Sequence, residues 1–384
     1  MMRIAYFIEN IVNHGGTERI IIDKANYLAA LPGYEVFLVC PGKGDIAKPA
    51  FPIDPRVNVY HLGEEFTPSC SLYKNPFLFT WQWIKWRRSL ARKVNSLAKT
   101  LNLNLSISLA YDCTKPYRIS GLPHIYESHA FRPEAESLSV MPKLMHWVVS
   151  HFFTKGATIV TLTKDDALLW PEAGRVEIIP NFTNIEPSIE YNPASKKVIA
   201  AGTLNRFKGF DLLIQAWKKV VEKYPGYELE IFGADPTGIE TDRYNNLINA
   251  TGLTGKVRLR GLTDNMPCAY AEGCSFVLSS RTEGFGLVLI EAMACGIPPV
   301  AFDCPHGPSD LVDDGLTGIL VPFKNLSDAE RIDKLADGLC RMLALSDEER
   351  EQMSAEAMKK AASFSREAIM ERWVKLFKEV AECE

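Results

Sequence analysis

Two consecutive α/β domains, each doubly wound on a parallel sheet, are predicted for this chain of 384 residues. Three observations carry the prediction. Short apolar runs of strand length alternate with longer runs of helical periodicity. The alternation stops at a stretch rich in Pro and Asn, residues 179–195, and then starts again. The length also suits two domains of about 100–200 residues each.

The elements follow in order. Arg3–Ile8 (RIAYFI) reads as a buried strand followed by a loop, Glu9–Gly16. Thr17–Leu31 has helical periodicity through Ile21, Ala25 and Leu28, with Thr17 as its cap and Pro32-Gly33 as its stop. Glu35–Cys40 is the next strand, completing a βαβ unit, which requires a parallel sheet. Val57–Leu62, Leu105–Leu109, His124–Tyr126 and Thr158–Leu162 continue the series. After the Pro/Asn stretch come strand Lys197–Ala201, loop Gly202–Gly209, helix Phe210–Lys223 and strand Glu228–Phe232. Val257–Leu259, Phe276–Leu278, Pro299–Phe302 and Ile319–Val321 complete the second set. Ser365–Glu382 is an amphipathic helix carrying Trp373 and Phe377. The expected domains are 1–182, joined by the terminal helix 365–384, and 183–364.

Composition narrows the function. With 47% apolar and 23% charged residues the chain can bury a core, so disorder is excluded. A net charge of -4 argues against a general nucleic-acid binder. The total hides an asymmetry: residues 1–185 carry +4 and residues 186–384 carry -8. The nine cysteines form no C-x-x-C pair or zinc spacing, which favours reduced thiols in a cytosol. The N-terminus turns polar too early for a signal peptide, and no run reaches the ~18 apolar residues of a spanning helix. A cytoplasmic protein is expected, with any membrane contact peripheral.

Open parallel sheets bind ligands at the carboxyl ends of their strands. The most informative such loop is in Ser280–Pro299, SRTEGFGLVLIEAMACGIPP. A strand ends before it, Gly284 and Gly286 allow a tight backbone, and a helix starts near Leu287. That helix start offers free N–H groups to an anion. Glu283 lies in the loop and Glu291 eight residues on; both carboxylates can accept hydrogen bonds from neutral hydroxyls. An anion site flanked by two hydroxyl acceptors suits a sugar nucleotide. The plain alternative, a helix-start carboxylate at Glu291 and a solvated Glu283, stays open at this level.

Glu283–Pro322, EGFGLVLIEAMACGIPPVAFDCPHGPSDLVDDGLTGILVP, resembles the donor-binding signature of the family 4 retaining glycosyltransferases, and most of all bacterial surface-polysaccharide enzymes. The resemblance implies the GT-B fold: two Rossmann-like domains facing across a cleft. The N-terminal domain would bind the acceptor, and the C-terminal domain the nucleotide-sugar donor. It implies that Glu283 contacts donor-sugar hydroxyls and Glu291 the ribose. The backbone at Phe285, Gly286 and Leu287 would lie against the diphosphate or sugar. Ala201–Leu213, AGTLNRFKGFDLL, resembles a second family loop, in which Lys208 matches the lysine that neutralises the diphosphate. The family's usual arginine is Thr203 here, so Arg206 is the candidate for the missing charge. Gly15 and Gly16, in GGTER, resemble a glycine pair that approaches the diphosphate from the other domain. His129, in ESHAFR, matches a histidine that approaches the donor sugar, and Gly261 a turn beside the base. Taken alone, the two loops and the histidine also read as a basic surface loop, a plain turn and a satisfied loop histidine.

The resemblance further implies front-side attack by an acceptor hydroxyl through an oxocarbenium-like state. No carboxylate is assignable as a covalent nucleophile. No DxD occurs in a donor-loop context, and the pairs Asp165-Asp166 and Asp313-Asp314 read as solvated faces. Metal independence is therefore expected, with a UDP-linked sugar as substrate and no other cofactor. Residues 73–99 hold seven Lys/Arg, no acid, and Phe77, Phe79, Trp81, Trp83 and Trp86. Two readings stay open there: an anionic-membrane surface that would bring a lipid-linked acceptor close, or a core face backed by a solvated basic face. Lys143–Phe153 is a second apolar candidate, read as core. Two rival functions remain: a sugar-nucleotide epimerase of the same fold, and a non-catalytic nucleotide-sugar or membrane-binding scaffold.

Overall fold

The computed structural model describes residues 1–12, 15–42, 49–64, 76–109, 121–129, 156–185, 191–235 and 237–382. The chain divides into two compact units. The first holds Met1–Leu162, Asp166–Ile179 and Met370–Glu384; the second holds Thr163–Asp165 and Pro180–Ile369.

The first unit is built on seven parallel strands in the order β3-β2-β1-β4-β5-β6-β7. They are β1 Met2–Phe7, β2 Tyr34–Cys40, β3 Asn58–His61, β4 Leu105–Leu109, β5 His124–Ser128, β6 Thr158–Thr161 and β7 Arg175–Ile178. The order reverses between β1 and β4, the switch point at which such sheets leave a crevice. Strand β7 escapes an apolar reading because it is the sheet's edge and its four residues are all only half-buried.

The first helix is Gly16–Ala30. Its N-cap is Gly15, and no side chain caps it. This corrects the expectation for Thr17, which lies inside the first turn. The helix starts earlier because the glycine pair turns the chain straight into it. The periodic face Ile21, Ala25 and Leu28 is buried as expected, but Lys24 is buried with it.

Helix Pro76–Thr100 has two distinct sides. Trp86, Leu90, Val94 and Ala98, at spacings of four, pack on Ala5, Phe7, Phe37 and Val39 of β1 and β2. Leu78, Trp81 and Ile84 are exposed, Trp81 by 60%, and Lys85, Arg88 and Arg92 are exposed beside them. Residues 73–75, the side chains of Phe77 and Phe79, and the candidate Lys143–Phe153 lie outside the described residues.

The second unit has six parallel strands in the order β10-β9-β8-β11-β12-β13. They are β8 Lys197–Ala201, β9 Glu228–Phe232, β10 Val257–Gly261, β11 Ser275–Leu278, β12 Pro299–Phe302 and β13 Ile319–Val321. The switch point here lies between β8 and β11. Helix Phe210–Lys223 buries Phe210, Leu213, Trp217 and Val220 on the sheet. Helices Asp328–Ala344 and Asp347–Ala362 each begin with a reciprocal capping box, Ser327 with Glu330 and Ser346 with Glu349. Helix Arg366–Glu382 starts in the second unit and continues, from Met370, in the first.

Of the acidic pairs expected to be solvated, Asp166 is buried. Asp313 accepts from Lys360 Nζ at 2.9 Å, and Asp314 accepts from the Leu320 amide at 2.9 Å. Among the described residues, no group of three His, Cys, Asp or Glu is placed to hold a metal ion. Nor is any helix among them long and apolar enough to cross a membrane.

Candidate functional site

In the second unit, the loops that follow β8 and β11 emerge on the two sides of the switch point. The β8 loop closes with a 3-10 turn, Arg206–Lys208, whose cap Asn205 accepts from the Lys208 amide at 3.1 Å. The β11 loop carries Ser279 to Gly286. Lys208 Nζ donates to Glu283 Oε1 at 2.7 Å, and Ser280 Oγ donates to the same oxygen at 2.5 Å. The Glu283 amide donates to the Pro305 carbonyl at 3.2 Å, fixing the loop behind the carboxylate. Glu283 is buried, with its side chain 7% exposed against 24% for Lys208. The solvated-loop alternative for Glu283 is thereby replaced by a paired, inward carboxylate.

Several residues that sequence reasoning did not single out hold this pair in place. Ser279 Oγ donates to the Lys208 carbonyl at 2.9 Å, and the Arg281 amide donates to the Phe207 carbonyl at 2.7 Å. The Arg281 guanidinium grips both oxygens of Asp211 at 2.7 and 2.9 Å and reaches Asp328 at 3.0 Å. It also donates to the Arg206 carbonyl at 3.0 Å. The hydrogen bonds it donates to Asp211 push the Arg281 guanidinium higher still, and Arg281 holds the Asp328 carboxyl below its usual range. Fork-to-fork pairs of this kind impose geometry as well as attraction. The Arg206 side chain itself is exposed on this turn.

Glu291 lies in helix Leu287–Ala294, buried, and accepts from the Tyr270 hydroxyl at 3.3 Å. Tyr270 is another position that no local signal revealed. Gly286 caps this helix at φ +93°. Phe285 turns its ring inward, 6.0 Å from that of Phe364, so only its backbone borders the loop. A Cβ on Gly307 would stand 1.9 Å from the Phe285 carbonyl oxygen, so the HGP turn can lie against the EGFG loop only through glycine.

Gly261 closes edge strand β10 and is exposed at φ +71°. It belongs to a row of glycines at the strand ends. The Gly202 amide donates to the Phe232 carbonyl, and the Gly233 amide to Gly261, both at 2.9 Å. Lys208, Glu283, Glu291, Arg206, Phe285, Gly286, Leu287 and Gly261 thus all lie at the carboxyl-end loops of one sheet or on the helix that follows.

Gly15, Gly16 and His129 belong to the first unit. Gly15 has φ -87°, ordinary for any residue, but a Cβ on it would meet Glu18 Oε2 at 2.2 Å, because that carboxylate lies over the helix start. Nothing stands within 4 Å of a Cβ on Gly16. His129 follows β5, and its Nε2 is 2.6 Å from Glu127 Oε2. Ala130 and the residues after it, to 155, lie outside the described residues.

Comparison with known proteins identifies the class. The paired Rossmann-like units are those of GT-B glycosyltransferases, and the chain is a glycosyltransferase. Residues 181–360 match the family model described as Glycosyl transferases group 1. The chain is 29% identical over 382 residues to an uncharacterized glycosyltransferase of Haemophilus influenzae, covering 97% of this chain and 99% of the other. It is 23% identical to the amylovoran biosynthesis glycosyltransferase of Erwinia amylovora, again covering 97% and 99%. Among solved structures, Anabaena HepE in complex with UDP and glucose superimposes with a TM-score of 0.71 at 17% identity, covering 99% of this chain and 100% of that one.

Proposed function

We propose that the protein is a retaining, metal-independent hexosyltransferase that moves a sugar from a UDP-linked donor to a saccharide or lipid-linked acceptor during surface-polysaccharide assembly. The observation that carries this reading is the Lys208–Glu283 pair at the switch point of the second unit. A lysine beside a buried carboxylate offers one cation to a diphosphate and one acceptor to a sugar hydroxyl. The amylovoran relative and the UDP and glucose bound by HepE support the substrate class.

In this mechanism the acceptor hydroxyl oxygen bonds to the anomeric carbon on the face from which UDP departs. The bond from the anomeric carbon to the diphosphate oxygen breaks, and the acceptor proton passes to the departing diphosphate. Negative charge grows on that group, and Lys208 meets it, with Arg206 as the second cation. Glu283 accepts from donor-sugar hydroxyls, Glu291 from the ribose, and the backbone at Phe285, Gly286 and Leu287 borders the diphosphate. Gly261 lies by the base. The roles of Gly15 and Gly16 toward the diphosphate, and of His129 toward the donor sugar, belong to the same proposal.

The test is product stereochemistry. Screening UDP-sugars by thermal shift identifies the donor, since a bound ligand raises apparent stability. Proton NMR of the product then reads the anomeric coupling, and an α-linked product from a UDP-α-sugar is expected. An inverted product, or a free epimerised UDP-sugar, contradicts the proposal. Binding of UDP without turnover on any acceptor favours the scaffold.

We further assign the acceptor to an anionic membrane surface at the cytoplasmic side, reached through helix Pro76–Thr100. Its outward Leu78, Trp81 and Ile84 beside Lys85, Arg88 and Arg92 suit an interface of lipid headgroups. The protein is expected to float with phosphatidylglycerol vesicles and not with neutral ones. Reversing Lys85, Arg88 and Arg92 to Glu removes that binding. Equal flotation of the variant, or none by the parent, sinks the assignment.

A further inference from the structure

The Glu283 carboxylate has two oxygens, and the described residues use only one of them. Lys208 Nζ and Ser280 Oγ both donate to Oε1, at 2.7 and 2.5 Å. Oε2 accepts from none of the described residues. Nor is it buried away from solvent, unlike Glu127 Oε1 and Glu230 Oε2, which are enclosed without a hydrogen bond. The site therefore keeps one carboxylate oxygen occupied and one open.

The two donors on Oε1 differ in kind. Ser280 is 1% exposed, and among the described residues its hydroxyl makes this one hydrogen bond. The chain is fastened on both sides of it. Ser279 Oγ donates to the Lys208 carbonyl, the Arg281 amide to the Phe207 carbonyl, and the Glu283 amide to the Pro305 carbonyl. The hydroxyl thus reaches Oε1 from a fixed frame, whereas the ammonium reaches it along a flexible four-carbon stem. The last torsion of a glutamate is broad and roughly two-fold. With Lys208 as its only partner, the carboxylate could turn about that bond and bring both oxygens to the ammonium. Ser280 removes that freedom. A carboxylate oxygen has about two acceptor positions, so two donors fill Oε1 and leave those of Oε2 open.

We propose that Ser280 is a positioning residue that decides which oxygen of Glu283 meets the donor sugar: the protein holds Oε1, and Oε2 is presented to sugar hydroxyls. The proposal rests on the reading of Glu283 as a donor-sugar contact. Lys208 gives one of its three N–H donors to Oε1, so two remain for a diphosphate. Without the serine hydroxyl the ammonium can bridge both oxygens, and the sugar loses its acceptor.

The experiment compares UDP with the UDP-sugar identified by thermal shift, using calorimetry and steady-state kinetics on the full chain. In Ser280→Ala the KM for the UDP-sugar is expected to rise about tenfold, with kcat changed less. Affinity for UDP alone stays within about threefold of the parent, because UDP carries no sugar hydroxyl for Oε2 to accept. Monodeoxy UDP-sugars supply the second arm. Removing the contacted hydroxyl costs the parent about tenfold in KM, and that cost and the cost of Ser280→Ala do not add, since both remove one contact. Glu283→Gln must turn its carbonyl oxygen toward Lys208 and Ser280, which sets its NH₂ where Oε2 stood; it raises KM as Ser280→Ala does. A parent-like KM in Ser280→Ala overturns the proposal. So does an equal loss of UDP affinity, which marks mere support of the loop, and so do additive costs. If Ser280→Ala does not fold, Ser280→Cys, of similar size and a weak donor, decides by the same measurements. A parent-like KM in Glu283→Gln removes the donor-contact reading and the proposal with it. A raised KM there beside a parent-like Ser280→Ala overturns the positioning role alone.

Discussion

Lys208→Ala is expected to lower kcat/KM by about 10²–10³-fold, the cost of removing one preorganised charge from a leaving group. The loss should fall mainly on kcat, because the diphosphate gains its charge as the bond breaks, and interactions made only then act on the rate. Stability should change much less. The pair is partly solvated on the lysine side, and Ser280 still donates to Glu283 in the variant. A loss of about 1 kcal/mol corresponds to roughly 2–4 °C in Tm for a unit of this size. Steady-state kinetics with the identified UDP-sugar, together with a melting curve, separates the two effects. A variant within threefold of the parent in kcat/KM removes Lys208 from the mechanism. Measuring Glu283→Gln and the double variant closes a cycle, and two residues in direct contact should couple rather than add.

Gly209→Ala should destabilise the second unit by about 2–5 kcal/mol. Gly209 has φ +64°, a conformation that costs an alanine about 1–2 kcal/mol. The added Cβ would also stand 2.0 Å from the Ser279 carbonyl oxygen, which is backbone and cannot swing aside. Forced repacking of that kind costs about 1–3 kcal/mol. Together these lower Tm by roughly 5–15 °C. Transfer should be lost even below the transition, because Ser279 and Arg281 hold the Lys208 turn through contacts that the shift breaks. Gly16→Ala is the contrast: nothing stands within 4 Å of its Cβ, so Tm stays within a degree or two of the parent. Calorimetry checks both, and an unchanged Tm for Gly209→Ala contradicts the steric account.

Much of the second unit was legible because its strands are short apolar runs bounded by glycine or proline. Lys197–Ala201, Glu228–Phe232, Pro299–Phe302 and Ile319–Val321 coincide with those runs, as does helix Phe210–Lys223. The helices Asp328–Ala344 and Asp347–Ala362 were not read, although the S-x-x-E sequences at Ser327 and Ser346 announce their starts. Strand β7 carried no such signal: an edge strand with a charged residue at alternate positions resembles a loop.

The candidate site divides in the same way. The sequence alone laid out the two α/β units and singled out Lys208, Glu283 and Glu291 as candidates, because loop glycines and the residues near them are local features, and the resemblance of those loops pointed to a glycosyltransferase. Only the tertiary structure decided that Lys208 and Glu283 meet, since 75 residues separate them. It alone revealed Arg281 and Asp211 as the clamp on their loop, and Tyr270 as the partner of Glu291. The sharpest case is Lys24. The apolar periodicity through Ile21, Ala25 and Leu28 says nothing of Lys24, which the fold buries beside them. The reason lies 103 residues away at Glu127, on a strand brought alongside by the winding of the sheet. Local pattern records what a segment can bury, whereas pairing between charges is set by which strand ends the topology makes neighbours.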